Sequence, residues 1–248
     1  MNLLYALERL RTPFWDAVFS AVTHLGEETV FMVAAILIFW CVSKEEGYYL
    51  LLMGFFGTVV NQFLKLLFRI PRPWVRDPDF TIVESARAQA TGYSFPSGHT
   101  QSTASAWFGF AVGTGKRWVW NLAWGLSLLV ALSRMYLGVH WPKDVVVGPL
   151  VGLGVSLLTW KLWPKIKDDP RVFYAVAVVC TLALLYARSP DSRKAAGLLL
   201  GLSLGDHLEQ RAIRFTVPAT WSKRLLRLVV GGAVLGAVKL GMGLVWHG

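Results

Sequence analysis

The sequence predicts an all-α protein that crosses a membrane several times, and two observations support this. Of its 248 residues, 54% are hydrophobic and only 16% are charged, whereas about a quarter of the residues in soluble domains are charged. The apolar residues also occur in uncharged runs, at 30–42, 47–64, 119–132, 145–160, 172–187 and 228–238. A membrane-spanning helix needs roughly 20 mostly apolar residues, and polar flanks can complete the shorter runs. A soluble helical protein rarely contains so many such runs in one short chain.

The chain divides into three predicted segments. In residues 1–24, leucines recur at helical spacing with charges on other faces, which predicts an amphipathic interfacial helix or a short membrane helix. Residues 25–165 form the predicted core, and residues 166–248 add two or three further C-terminal transmembrane helices. Core helices are expected at 30–42, 47–70, 100–113, 118–137 and 144–163. Between the second and third, residues 71–99 hold four prolines, and a polar loop of this length is usually functional.

The formal net charge of +10 is unusual for a protein surrounded by lipid. Nucleic-acid binding is not supported, because the chain has neither a basic-aromatic face nor a zinc-type spacing. Anionic headgroups and an anionic substrate account for the charge better. The two cysteines, Cys41 and Cys180, each lie in an apolar run outside any metal-type spacing. We therefore interpret both as buried hydrophobic residues.

The basic residues also predict an orientation in the membrane. If each apolar run crosses once, the turns that collect most of the lysines and arginines share one side, at 43–46, 115–117, 164–171 and 207–227. Cytoplasmic loops carry the excess of lysine and arginine. The loop at 71–99 and the turn at 138–144 are then expected on the outer side.

Three clusters of reactive residues fall on this predicted outer side. Lys65 lies near the end of an apolar helix, and Arg72-Pro73 follows. Pro96-Ser97-Gly98-His99 leads into the next helix; proline and small polar residues favour a helix N-terminus, whose free amides bind anions. The third cluster is Ser133-Arg134, then His140 and Asp144.

The third cluster suggests a nucleophile. His140 and Asp144 are four residues apart at the start of a helix and so share one face. A carboxylate in this position can accept a hydrogen bond from one imidazole nitrogen and leave the other free to attack. Arg134 and Lys65 end strongly apolar helices, where an ionisable group is costly and usually functional. Cations and helix-end amides would bind a tetrahedral dianion, and the two histidines would supply a nucleophile and an acid.

These clusters resemble the three-part signature of the type 2 phosphatidic acid phosphatase superfamily, which includes the membrane lipid phosphate phosphatases. The matching patterns are Lys65-x6-Arg72-Pro73, Pro96-Ser97-Gly98-His99 and Ser133-Arg134-x5-His140-x3-Asp144. All three match in order and spacing. The resemblance implies a six-helix phosphatase core with the site at the outer membrane face, a phosphohistidine intermediate, and neither metal nor cofactor.

The resemblance also implies roles for single residues. The catalytic set is His140 as the nucleophile, Asp144 as the group that orients it, and His99 as the general acid. The phosphate-binding set is Lys65, Arg72, Ser97, Gly98 and Arg134. Such positioned cations and amides suit phosphoryl transfer, because charge spreads over three equatorial oxygens in the transition state.

The expected function is hydrolysis of a lipid-linked phosphomonoester or pyrophosphate by an integral multi-pass protein, for which we favour a bacterial cytoplasmic membrane. A polyprenyl pyrophosphate, phosphatidylglycerol phosphate, phosphatidate and a sphingoid phosphate all remain open as substrates. So do two other functions, a lipid phosphotransferase and a non-catalytic phospholipid binder or carrier. The expected partners are the phosphorylated lipid and membrane lipids, with a homodimer left open.

Residues 172–248 contain none of the three clusters. We expect them not to be required for the chemistry, although lipid access or a dimer contact is compatible with them. Their glycine-rich runs at 197–205 and 231–243 predict close helix–helix approach in lipid.

Overall fold

The computed structural model describes residues 1–217 and 220–247, and in these residues the regular structure is entirely helical. Positions 218, 219 and 248 of the predicted C-terminal segment lie outside the described residues. The α-helices are α1 (Asn2–Arg9), α2 (Pro13–Thr23), α3 (Glu28–Cys41), α4 (Lys44–Phe68), α5 (Pro73–Arg76), α6 (Gly98–Thr114), α7 (Arg117–Tyr136), α8 (Pro142–Asp168), α9 (Pro170–Ala187), α10 (Pro190–Leu208) and α11 (Trp221–His247).

The predicted membrane bundle is confirmed. In the part of the chain that the structure describes, three helical segments are long and apolar enough to cross a bilayer, namely 44–76, 142–168 and 221–242. A fourth is added if α2 and α3, which meet at 48°, form one span. The core helices lie where the apolar runs predicted them, although α8 continues to Asp168. Helix α4 ends at Phe68 because Arg69 takes a left-handed conformation with φ of 47°. The chain can then turn into the 69–97 segment.

Two glycines of α8 allow α6 and α8 to pack closely. A Cβ atom on Gly148 would lie 2.2 Å from Thr100 Oγ1, and one on Gly152 would lie 2.6 Å from the Cβ of Ala104. Side chains at both positions are therefore excluded, as expected where small residues let helix backbones approach. This contact joins the start of α6, which carries His99, to the start of α8.

The N-terminal segment packs onto the core. In α1, Leu4 is fully buried in a cluster with Phe80 and Trp141. After α1, Arg11 donates from Nε to the carbonyl oxygen of Tyr136 at 3.0 Å. The segment predicted as one interfacial or short membrane helix thus forms two short helices. The first, α1, packs against part of the 69–97 segment.

The C-terminal helices differ in how much they contact the core. Helices α9 and α10 pack against α4. By contrast, α11 contacts mainly α3, and none of the residues in its most apolar stretch is buried. Within one copy of the chain, most of these glycines do not make the predicted close helix–helix approach. A Cβ atom would meet no heavy atom within 4 Å at Gly197, Gly201, Gly205, Gly232, Gly236 or Gly241. These glycines face away from the described protein, and Gly231, next to the Trp40 ring, is an exception.

Side-chain contacts show which connections share an end of the bundle. At one end, Lys44 pairs with Glu209, and Lys167 pairs with Glu45 at 2.9 Å. At the other end, the 69–97 segment contacts the α7–α8 turn, where the Val83 N–H donates to the carbonyl oxygen of Leu137 at 3.1 Å, and the start of α10, where Thr91 donates to Asp191. The basic turns therefore collect at one end, and the three reactive clusters collect at the other.

Candidate active site

The end of the bundle that holds the three clusters contains a cavity of about 400 Å³. Five of the eight predicted site residues line it, namely Lys65, Arg72, Gly98, His99 and His140. The other three, Ser97, Arg134 and Asp144, are not among the lining residues and are fully buried, with 0% exposure. The structure therefore brings residues 65–144 together around one cavity.

His140 and Asp144 form a buried pair. The Nδ1 atom of His140 lies 3.3 Å from Oδ2 of Asp144, as the spacing of four residues predicted. The same carboxylate oxygen accepts hydrogen bonds from the Ser94 hydroxyl and from the backbone N–H of Trp141, the latter at 2.9 Å. Asp144 is thus fixed by other donors and can hold the imidazole in one orientation.

The second nitrogen of His140 faces the cation site. Its Nε2 atom lies 3.3 Å from Nη1 of Arg72, on the side that lines the cavity. Burial, followed by the nearby charges of Arg72 and Arg134, lowers the pKa of His140 well below its ordinary range. The imidazole is therefore neutral at physiological pH, as a nucleophile requires.

Arg72 is held almost entirely by backbone carbonyl groups. Its guanidinium donates to the carbonyl oxygens of Thr91 at 2.6 Å, Gly92 at 3.1 Å and Val139 at 2.9 Å. None of these partners is a carboxylate, so the positive charge of Arg72 is not neutralised by them. The side chain is positioned and remains able to attract an anion.

Arg134 and Ser97 contain buried polar atoms without protein partners. Arg134 donates from Nη1 to Thr23 Oγ1 at 2.9 Å, but its Nε and Nη2 atoms have no partner among the described residues. The hydroxyl of Ser97 is also buried without a partner. Buried donors are nearly always hydrogen-bonded, so such exceptions need an explanation. An anion bound beside the start of α6 would supply the missing acceptors.

His99 enters the cavity from the first turn of α6. Its Nε2 atom lies 3.3 Å from Oε1 of Gln89, which belongs to the 69–97 segment. Lys65 enters from α4 and makes no ion pair with any described residue. His99, His140 and Lys65 therefore share one polar chamber with Arg72.

Three supporting residues were not found from the sequence. They are Thr23 at the end of α2, Gln89, and Ser94, which lies three residues before Ser97. Polar residues in the 71–99 loop were an available but weak signal for Gln89 and Ser94, and nothing in the sequence marked Thr23. Among the side chains that the structure describes, three or more His, Cys, Asp or Glu residues nowhere come together in an arrangement that could hold a metal ion.

Comparison with known proteins assigns the family. The model of the PAP2 superfamily matches residues 46–168, and a second, described as "PAP2 superfamily phosphatase, transmembrane extension", matches residues 193–248. The chain belongs to the PAP2 superfamily. The predicted resemblance is thereby confirmed, and the second match covers most of α10 together with α11, whereas α9 lies between the two matched regions.

Individual relatives agree with this assignment. The chain is 30% identical to an undecaprenyl-diphosphatase of Sulfolobus acidocaldarius over 140 residues, which are 56% of this chain and 66% of that protein. It is 29% identical to phosphatidylglycerophosphatase B of Bacillus subtilis over 173 residues, which are 64% of this chain and 80% of that protein. A crystal structure of a PAP2-type phosphatidylglycerolphosphate phosphatase from Bacillus subtilis aligns with a TM-score of 0.55 at 27% identity, covering 66% of this chain and 84% of that one. The predicted class, a membrane hydrolase of lipid phosphates, is confirmed at this level.

Proposed function

We propose that this protein hydrolyses a lipid phosphomonoester or diphosphate through a phosphohistidine on His140. One observation carries the proposal. The Nδ1 atom of His140 faces the buried carboxylate of Asp144 at 3.3 Å, while its Nε2 atom lies at the cation-lined cavity beside Arg72. A protein that only bound phospholipid would need the cations but not this pair.

In the first step, the lone pair of His140 Nε2 attacks phosphorus and the bond between phosphorus and the leaving oxygen breaks. His99 gives a proton to that oxygen, because a lipid alkoxide is a poor leaving group. Burial and the site cations lower the pKa of His99 in the unliganded protein, and the negative charge of the bound phosphate opposes this shift and favours protonated His99. The positive charge that develops on His140 is stabilised by Asp144 at its other nitrogen. The lipid alcohol, or the lipid monophosphate from a diphosphate, then leaves.

In the second step, water replaces the lipid. A water molecule gives a proton to His99, which lost its own in the first step, and attacks phosphorus as the bond to His140 Nε2 breaks. Inorganic phosphate forms and both histidines return to their starting states. If an acceptor lipid attacked in place of water, the protein would be a phosphotransferase. The same site residues would serve that reaction.

The cations and the start of α6 bind the phosphoryl oxygens in this proposal. Lys65 and Arg72 line the cavity, and the unpaired Nε and Nη2 atoms of Arg134 and the hydroxyl of Ser97 supply further donors. The backbone N–H of Gly98 adds a helix-end donor. Groups that are already positioned stabilise the spread charge of the transition state without reorganising.

A panel of purified lipids assayed for phosphate release in the presence of EDTA tests this function. Activity should survive chelation, and vanadate should inhibit it because vanadate mimics pentacoordinate phosphorus. Loss of activity in EDTA with recovery in magnesium would overturn the mechanism. Transfer of phosphate to lipid acceptors without release would favour the phosphotransferase, and the panel also identifies the preferred lipid.

We further propose that the cavity opens on the outer face of the membrane. The support is the collection of basic turns at the opposite end of the bundle. Cysteines introduced at the exposed positions Asp79 and Thr220 should react differently with a membrane-impermeant reagent in intact cells. Labelling at 79 alone is expected, and labelling at 220 alone would reverse the topology. The native Cys41 and Cys180 are buried, so they give a low background.

A further inference from the structure

The C-terminal extension, by which we mean helices α9 to α11, reaches the proposed active site at the start of α10. Asp191, in the first turn of this helix, lines the same cavity as Lys65, Arg72 and the two histidines. The nearest signature residue in sequence is Asp144, so no sequence pattern links Asp191 to the site.

The start of α10 is held firmly against the core. Ser189 caps α10 by accepting a hydrogen bond from the backbone N–H of Ser192 at 3.0 Å, and its hydroxyl donates to Gln62 of α4 at 3.1 Å. One turn further on, Ala195 and Ala196 are buried beside Val59 of α4. Asp191 is therefore presented to the cavity by a helix that is fixed on two sides.

A short chain of hydrogen bonds leads from Asp191 to the phosphate site. The hydroxyl of Thr91 donates to Oδ2 of Asp191. The carbonyl oxygen of the same Thr91 accepts from Nη2 of Arg72 at 2.6 Å, and the next carbonyl, at Gly92, accepts from Nε. Thr91 is exposed and lies in a segment without regular secondary structure, so its side-chain bond to α10 is a direct restraint on those carbonyls.

We infer that Asp191 is a positioning residue for phosphate binding: through Thr91 it fixes the carbonyl groups that orient Arg72. This inference rests on the proposed function. It makes the extension part of the substrate site, while the chemistry stays with the core. The expected effect is on phosphate affinity more than on the rate of the bound complex.

The charge of Asp191 alone would act in the opposite direction. A carboxylate beside Lys65 and Arg72 repels a phosphate dianion, so removing it should tighten phosphate binding if electrostatics were its whole role. Loss of positioning should weaken binding. The replacement Asp191→Asn removes the charge but keeps an oxygen that accepts from Thr91, whereas Asp191→Ala removes both. The pair therefore separates the two effects.

The test uses the full-length protein in detergent with p-nitrophenyl phosphate as substrate and inorganic phosphate as competitive inhibitor. We expect Asp191→Ala and Thr91→Val to raise KM and the inhibition constant of phosphate roughly three- to tenfold with little change in kcat. Asp191→Asn and Thr91→Ser, which keep the hydrogen bond, should stay within about twofold of wild type or bind phosphate more tightly. The double variant Asp191→Ala/Thr91→Val should be no worse than either single variant, because both remove the same bond.

Four results would each overturn the inference. Alanine and asparagine at 191 could have equal effects, or valine and serine at 91 could. KM and the inhibition constant of phosphate could be unchanged in all four single variants, or the two effects could add in the double variant. If Asp191→Ala does not purify as a monodisperse protein, the Thr91 pair decides. If the wild type is active but the variants do not differ from one another in KM or in phosphate inhibition, only this inference is refuted. A wild type that releases phosphate from neither an aryl nor a lipid ester refutes the proposed function, and the inference with it.

Discussion

The core and the C-terminal extension use similar apolar helices in opposite ways. In the core, Gly148 and Gly152 of α8 lie directly against α6, and buried polar residues converge on one cavity. In the extension, most glycines of α10 and α11 face open space, and the apolar window of α11 is 0% buried. Core residues are therefore constrained by contacts and chemistry, whereas α11 is constrained mainly by the need to be apolar. The start of α10 is the exception, because it reaches the site.

The largest expected difference between the regions concerns their histidines. His99→Ala should lower turnover of a lipid ester by about 10²–10⁴-fold, the usual contribution of a general acid. An aryl phosphate leaves as a stable phenolate, so a single-turnover burst of phenolate should largely return in this variant. His207→Ala, in α10 and outside the cavity lining, is the matched control and should behave as wild type. If the phenolate burst of His99→Ala were reduced as strongly as its turnover of the lipid ester, His99 would not be the general acid.

The glycines offer a second contrast. Gly152→Ala should destabilise the protein by about 1–3 kcal/mol, the usual cost of overpacking, because its Cβ would lie 2.7 Å from the backbone oxygen of Gln101. Gly201→Ala should change stability by less than about 1 kcal/mol and in the favourable direction, because alanine is the better helix former. Thermal unfolding of both variants in one detergent compares them. Equal destabilisation would mean that the two regions are packed alike.

The smallest effect, and the sharpest electrostatic test, concerns the charge of His140. Because burial and then Arg72 lower its pKa, His140 should remain neutral at pH values near 6.5, where a free imidazole is half charged. Its neutral state is lost only when the pH falls through the lowered pKa. NMR of histidine-labelled protein, with the signal assigned from His140→Asn, measures this. A titration midpoint at or above about pH 6.5 would contradict the buried, cation-facing environment.

The sequence predicted the parts of this molecule that depend on local spacing. The uncharged runs located the core helices, and the spacing of His140 and Asp144 predicted their contact. It did not predict contacts between distant segments, such as Arg134 with Thr23, 111 residues apart, or Thr91 with Asp191, 100 residues apart. Ordinary threonine and aspartate residues acquire those roles only through packing. The glycine runs of the extension did not predict contacts within the chain, because glycine composition alone does not show which face of a helix meets a neighbour.

The central claim is that His140 carries the phosphoryl group, and trapping the intermediate tests it most directly. Wild type and His140→Ala, with His207→Ala as control, would be mixed with labelled aryl phosphate, quenched at early times, and mapped by mass spectrometry. The account predicts an acid-labile, base-stable phosphate on His140 in wild type and in His207→Ala, and no phosphoprotein in His140→Ala. Phosphate on another residue, or turnover that persists in His140→Ala, would contradict it.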